Sequence, residues 1–235
     1  MNNNPKKPHY IPIVSGMVAG STLAGMAGTV AGVTYGTTIA NIPDLAILGA
    51  IYGDPKQMIK NSFRINNGLF KTDKNKNFFA KLWQFISRIT WEATQTFGGY
   101  YFTQGKNVAG MVDRVDYFGG ATFATDEYYE GRNAGGITVG NYINVNLRGE
   151  IDMPFEEYVL SNPLYMHEYG HTFDSRAFGL FYLLAIGVPS LISAAGTGNH
   201  NIFWTEIRAN RRAKTYFKKN YGVNWLRLFP NYPVI

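Results

Sequence analysis

Cysteine is absent from the 235 residues, so neither a disulfide framework nor a thiolate metal site can exist, and the redox compartment is left open. Charge is sparse, at 16% of residues, and tilted: 22 basic against 16 acidic side chains give a net +6. The excess sits near the C-terminus, in Arg208, Arg211, Arg212, Lys214, Lys218, Lys219 and Arg227, and reads as the solvated outer face of a helix. No phosphate-cradling or base-reading motif accompanies it, so nucleic acid is not an expected partner. Between Ile11 and Pro43 there is no charged residue at all. Pro8, Pro12 and the lack of a compact apolar run there argue against a cleaved signal peptide. What the chain does have is 46% apolar and 15% aromatic residues, ample for the core of one large domain with an extension.

That extension is assigned to residues 1–60, ahead of a domain at 61–235. Gly16, Gly20, Ala24, Gly28, Gly32 and Gly36 recur every four residues. On a helix this spacing makes a groove of small residues suited to close backbone packing, above all in membranes. Threonines dilute the remaining faces below the apolarity of an ordinary spanning helix. Two readings therefore stay open for residues 11–43, a helical hairpin in contact with a membrane and a soluble leader. Asp44 to Lys60 reads as a short apolar helix completing the extension.

From Asn77 to Phe97, Phe79, Leu82, Trp83, Ile86, Ile89, Ala93 and Phe97 fall on one helical face, with Lys81, Gln84, Arg88, Glu92 and Gln95 opposite. This predicts a core-packing helix ended by Gly98-Gly99. The period changes to two from Tyr100 to Asn146, with a turn at Gly119-Gly120 and an alternating strand over Ile137–Asn146. Ala177 to Gly198 is again uncharged, but Gly187 and Pro189 interrupt it; two buried helices are favoured over membrane contact.

The chemistry concentrates in Tyr165-Met166-His167-Glu168-Tyr169-Gly170-His171, which reads His-Glu-x-x-His. Residues four apart share a helical face one turn above each other, so two imidazoles can close on one ion. Neutral imidazole suits Zn²⁺. Glu168 falls beside the ion, where a general base is needed. Ser161 and Asn162 are suitable caps, Pro163 suits the first position and Gly179 a stop. Met166, Gly170, Phe173 and Ala177 form the stripe expected to pack inward, with Gly170 admitting a close neighbour. A second helix is expected around Trp204–Ala213, with Asn201 as a candidate cap. Its Glu206 shares a face with Asn210, Phe203, Ala213 and Phe217, and a carboxylate on such a stripe is costly unless paired or metal-bound. Glu206 is thus the expected third ligand, and Asn210, one turn on, would accept a hydrogen bond from a ligand histidine. Tyr142, Tyr165 and Tyr169 are further candidates for a hydrogen bond to an oxyanion, among which the sequence does not choose; His200, just before the second helix, could serve the same end but as a lone histidine is read as structural or a cap.

His-Glu-Tyr-Gly-His followed by Glu-x-x-Ala-Asn-x-x-Ala resembles the gluzincin class of zinc metallopeptidases, which carry His-Glu-x-x-His on one helix and a glutamate ligand on a later one. The second motif is similar to that of the CAAX-endopeptidase-like branch. The stretch from His167 to Phe217 also resembles metallopeptidase-like C-terminal domains of bacterial Rhs-type polymorphic toxins, and the Gly/Ala leader resembles the segment that precedes toxin domains in such proteins. The resemblance implies His167, His171 and Glu206 as zinc ligands and Glu168 as the base. Asn210 departs from the family's usual aspartate. An α+β, zincin-like fold is expected: a small antiparallel sheet, one of whose edge strands pairs with extended substrate, then the two ligand helices. The implied protein is a zinc-dependent endopeptidase acting on peptide or protein substrates, secreted or membrane-associated, and in the toxin case an effector. The rival reading is a membrane-active or scaffolding protein with a degenerate, non-catalytic motif.

Overall fold

The computed structural model describes residues 30–52, 54–131, 135–230 and 232–234. The chain is α+β: helices surround a small four-stranded mixed sheet. The described residues begin with three helices: α1 (Val30–Ala40), α2 (Ile42–Tyr52) and α3 (Pro55–Asn67). Asp54 splits the last two. Its carboxylate caps the Gln57 amide at 2.8 Å, and Pro55 occupies the first helical position. The apolar helix expected over residues 44–60 is therefore two helices, and α3 runs straight through the expected boundary at residue 60. Asn61 Nδ2 donates to Val112 O and Asn107 Nδ2 to Met58 O, binding α3 to the rest of the domain. Most of the glycine repeat lies outside the described residues. At Gly36, which is described, a Cβ would meet nothing within 4 Å, so among the described residues nothing packs against that end of the groove.

The helix expected from Asn77 to Phe97 is broken. It forms α4 (Phe78–Ile89) and α5 (Ala93–Val108), so the period-two region starts well after Tyr100. The burial of α4 is also reversed: Phe79 is 77% exposed, while Gln84 and Arg88 are 2% exposed. The reason lies in backbone groups the sequence pattern does not reveal. Arg88 donates to the carbonyls of Leu69, Lys71 and Gly120, and Gln84 bridges the Asp73 amide and Gly119 O. Two loops leave these groups without ladder partners, and a buried polar group left unsatisfied is expensive.

The strands are β1 (Arg114–Phe118), β2 (Ala121–Asp126), β3 (Gly135–Val139) and β4 (Tyr142–Asn146), in the spatial order β1-β2-β4-β3. Gly119 and Gly120, at φ of +58° and +83°, make the turn between the first two. The single strand expected over Ile137–Asn146 is a hairpin turning at Gly140-Asn141, with β3 as the sheet edge and β4 inside. Because β4 pairs parallel to β2, the sheet is mixed and not antiparallel as expected. Burial explains the insertion. Tyr142, Ile143 and Val145 are all fully buried, and the strand with apolar residues on both faces belongs in the centre.

The two faces of the sheet feed separate cores. Phe123, Ile143 and Val145 pack with Tyr165, Met166 and Phe217 from the later helices, whereas Ala124 and Tyr142 pack with Ile65, Leu69 and Tyr100 from α3 and α5. The remaining helices are α6 (Phe155–Ser161), α7 (Pro163–Phe178), α8 (Val188–Ala195), α9 (Trp204–Tyr221) and α10 (Trp225–Leu228), with a π-helical turn at Leu183–Gly187 leading into α8. The segment 177–198 was expected to be buried, yet α8 contains no buried residue. Among the described residues no single helix is long and apolar enough to cross a membrane. Pro163–Phe181 and Leu183–Ala195 pass that test only as a pair bent by 120°.

A candidate metal centre between two crossed helices

The helix α7 begins as its sequence requires: Asn162 accepts a hydrogen bond from the Leu164 amide at 3.0 Å and Pro163 follows. It ends at Gly179, whose φ of +52° suits a residue without Cβ. Tyr165, Met166 and Tyr169 enter the core beneath the sheet. Gly170 marks the crossing with α9, since a Cβ there would lie 2.2 Å from Ala209 O. The expected inward stripe holds at Met166 and Gly170, but Phe173 is half-buried and Ala177 exposed. Asn201 does not cap α9; Phe203 occupies that position without a side-chain cap.

This crossing brings His167, His171 and Glu206 together. All three are buried, and their ligand atoms lie within 4.8 Å of one another, forming a group that can hold a metal ion. His167 Nε2 is 3.1 Å and His171 Nε2 3.3 Å from the same oxygen, Glu206 Oε2. The other carboxylate oxygen accepts from Ser190 Oγ at 2.7 Å and Thr205 Oγ1 at 2.8 Å, which fixes the plane of the carboxylate. Burial pushes the Glu206 carboxyl up, but the hydrogen bonds of His167 and His171 outweigh it and hold the group well below the usual carboxylate range. His171 loses basicity through burial and gains more from Glu206, so its net displacement is upward.

Asn210 supplies the test of whether a cation fits. Its Nδ2 donates to Pro233 O at 2.8 Å, and this orients the amide so that Oδ1 meets His167 Nδ1 at 2.8 Å. An amide oxygen only accepts, so Nδ1 carries the proton and Nε2 of the neutral ring presents a lone pair. That lone pair faces a carboxylate oxygen. Two acceptors at 3.1 Å need a cation between them, either a second proton on the ring or a metal. Two imidazoles and one carboxylate are also the donor set of a catalytic zinc site with one position open. The residues fit a metal ion.

Glu168 takes a different direction. Its Oε2 accepts from Thr138 Oγ1 at 2.6 Å, and its carboxylate lies over Gly136 so closely that a Cβ there would come within 2.5 Å of Cδ. The edge strand β3 therefore positions Glu168 beside the histidines without joining them. Tyr182 Oη donates to Thr138 O at 2.9 Å and braces the strand from outside the sheet. A cleft of about 800 Å³ opens over these groups, bounded by β3, α7, the 183–194 segment, His200, Tyr232 and Pro233.

Of the tyrosines singled out in the sequence, none reaches the cleft. Tyr142 donates to Ile65 O and Tyr169 to Gly119 O, while Tyr165 pairs with Thr125. The tyrosines at the site are Tyr182 and Tyr232, whose ring lies 5.8 Å from that of His167. His200 does line the cleft, with Nε2 3.7 Å from Glu206 Oε2 and Nδ1 3.1 Å from Ser193 Oγ. Thr138, Tyr182, Ser190 and Tyr232 carry no spacing signature that would have flagged them. Each arrives from a segment distant in sequence. No family model, curated protein or solved structure matches the chain.

Proposed function

We propose that the chain is a zinc-dependent endopeptidase of gluzincin type, and that it uses Glu168 as its general base. The observation that carries this reading is the convergence of both Nε2 atoms on one Glu206 oxygen, with Glu168 turned aside onto Thr138. His167, His171 and Glu206 would hold the ion. When bound, it supplies Lewis acidity to a carbonyl and lowers the pKa of water towards about 7. The protein's own groups account for the rest. Glu168 accepts the proton of the attacking water at a carboxylate oxygen and returns it to the leaving amine. The Thr138 hydroxyl occupies Oε2, leaving Oε1 as the basic atom. Asn210 holds His167 in the tautomer with Nε2 free. The apolar walls of the cleft exclude water from the reacting groups. As the edge of the sheet, β3 offers the backbone against which an extended peptide lies.

The Asn210 departure does not count against activity in this arrangement. Its amide accepts from His167 as an aspartate would, and also donates to Pro233 O, which an aspartate cannot do. The toxin role rests on the sequence resemblance alone; a neighbouring immunity gene would support it.

The test is metal analysis and proteolysis on matched variants. Wild-type protein should hold one zinc. Glu168→Gln should hold it equally and lose about 10²–10⁴-fold in peptide cleavage. His167→Ala should lose the metal. Full activity in Glu168→Gln would end the general-base assignment, and loss of zinc in that variant would make Glu168 a ligand. A wild-type protein that takes up no zinc would leave the non-catalytic scaffold as the better reading.

A further inference from the structure

Two helices of this chain are inside out. On α4 the polar side chains Gln84, Ser87 and Arg88 are buried, while Phe79, Leu82, Trp83 and Ile86 point to solvent. On the run Leu183–Ala195, Ile186 is buried and Ser190 reaches Glu206, while Leu184, Val188, Leu191 and Ile192 are exposed. In each case the exposed residues follow the three-and-four spacing of one helical face. Trp91, itself exposed, lies over Gly179 and donates from Nε1 to Arg176 O at 3.1 Å. Leu180 and Phe181, which follow Gly179 in the chain, are exposed as well. An apolar surface this extensive marks an interaction site.

We infer that this surface docks on an anionic lipid bilayer. Three observations select that occupant. Trp83 on α4 and Trp91 just beyond it are exposed, the placement that suits an indole at a membrane–water interface. Lys76 and Lys81 accompany the α4 face, and no acidic residue occurs from Lys74 to Trp91 or from Ala177 to Thr205; Lys74 is paired with Glu156 and Arg88 is buried, so neither is counted. Basic residues beside an apolar face complement anionic headgroups. Finally, the exposed apolar residues form a face on helices that among the described residues are not singly long and apolar enough to cross a membrane; such a one-sided face suits a helix lying in the interface. The cleft opens beside the same face, since Val188 and Leu191 belong both to it and to the cleft wall. The inference stands apart from the peptidase reading, because vesicle binding and zinc content are measured separately and either can fail alone.

The test uses the full chain with vesicles of phosphatidylcholine alone and of phosphatidylcholine with 30% phosphatidylglycerol, read by co-sedimentation and tryptophan emission. The wild type should bind the anionic vesicles, with blue-shifted emission and binding that weakens in high salt, and should bind the neutral vesicles less. Leu82→Glu with Trp83→Glu on α4, and Leu184→Glu with Ile192→Glu on the second face, should each weaken partitioning about tenfold or more, since each removes two large apolar groups from the interface. Both double variants should keep the wild-type circular dichroism spectrum and melting transition, which shows that they remain folded. Absence of vesicle binding in the wild type overturns the inference. So does binding that survives both double variants, which would move the contact to another part of the chain. A concentration-dependent dimer in place of vesicle binding would assign the face to a second copy, and vesicle binding gained only on removal of residues 1–29 would assign it to that segment; either result overturns the inference.

Discussion

Asn210 is the residue on which the site's geometry turns. One amide group sets the tautomer of His167 and ties down the segment at Tyr232–Val234, with Arg211 Nε adding a second hold through Val234 O at 2.7 Å. The two roles can be separated. Asn210→Ala removes the acceptor from His167 and should weaken zinc binding about 10–100-fold, as measured by competition with a chromophoric chelator. Asn210→Asp keeps the acceptor but sets a carboxylate oxygen against Pro233 O. Zinc affinity should stay at or above the wild-type value, while thermal unfolding shows a loss of about 1–3 kcal/mol. Equal zinc affinity in the alanine and aspartate variants would mean that Asn210 does not act through His167.

The crossing of α7 and α9 decides whether ligands on separate helices meet. Gly170 lies four residues before Asp174, whose carboxylate pairs with Arg208 at 2.6 Å, so the contact runs along a full turn of each helix. A methyl group at position 170 meets the Ala209 backbone and has no flexible side chain to displace. Gly170→Ala should force the helices apart, lower stability by about 1–3 kcal/mol and weaken zinc binding by moving Glu206 away from both histidines. Circular dichroism melts and metal titration check both effects; a fully wild-type Gly170→Ala protein would show that the crossing is looser than described. The edge strand gives a companion case. Gly136→Ala drives a Cβ into the Glu168 carboxylate. Peptide cleavage should collapse while zinc binding persists, because Glu168 is not among the three converging groups.

For the whole molecule, the first described helices are part of the domain's packing. Tyr100 Oη donates to Thr34 O at 2.9 Å, Leu45 packs with Met58 and Val108, and Asn61 lies four residues beyond the caps at Asp54–Gln57. Deleting residues 1–60 would cut α3 in its middle and strip Met58 from that cluster. The shortened chain should lose its cooperative unfolding transition and its zinc together. If it kept both, residues 30–60 would be an appendage, as the sequence alone suggested.

What the sequence determined was local. Helical geometry is fixed by the backbone, so the His-Glu-x-x-His spacing was enough to place His167 and His171 on one face and Glu168 beside it. Asn162, Pro163 and Gly179 set the bounds of α7 through groups within a few residues of each end, and Glu206 and Asn210 shared a face for the same reason. The tertiary structure decided everything that depends on what lies across a gap. Periodicity shows that α4 has an apolar face, but not that the carbonyls of Leu69, Lys71 and Gly120 would draw its arginine inward and leave that face outside. Alternation shows strands near residues 137–146, but not that β4 would insert between β2 and β3. Thr138, Tyr232 and the pair Tyr182 and Ser190 enter the site from three separate segments, and no spacing rule connects them. A single sequence encodes the period of a helix directly, because that period is a property of neighbouring residues. It encodes which side faces inward only through the sum of distant polar and apolar partners.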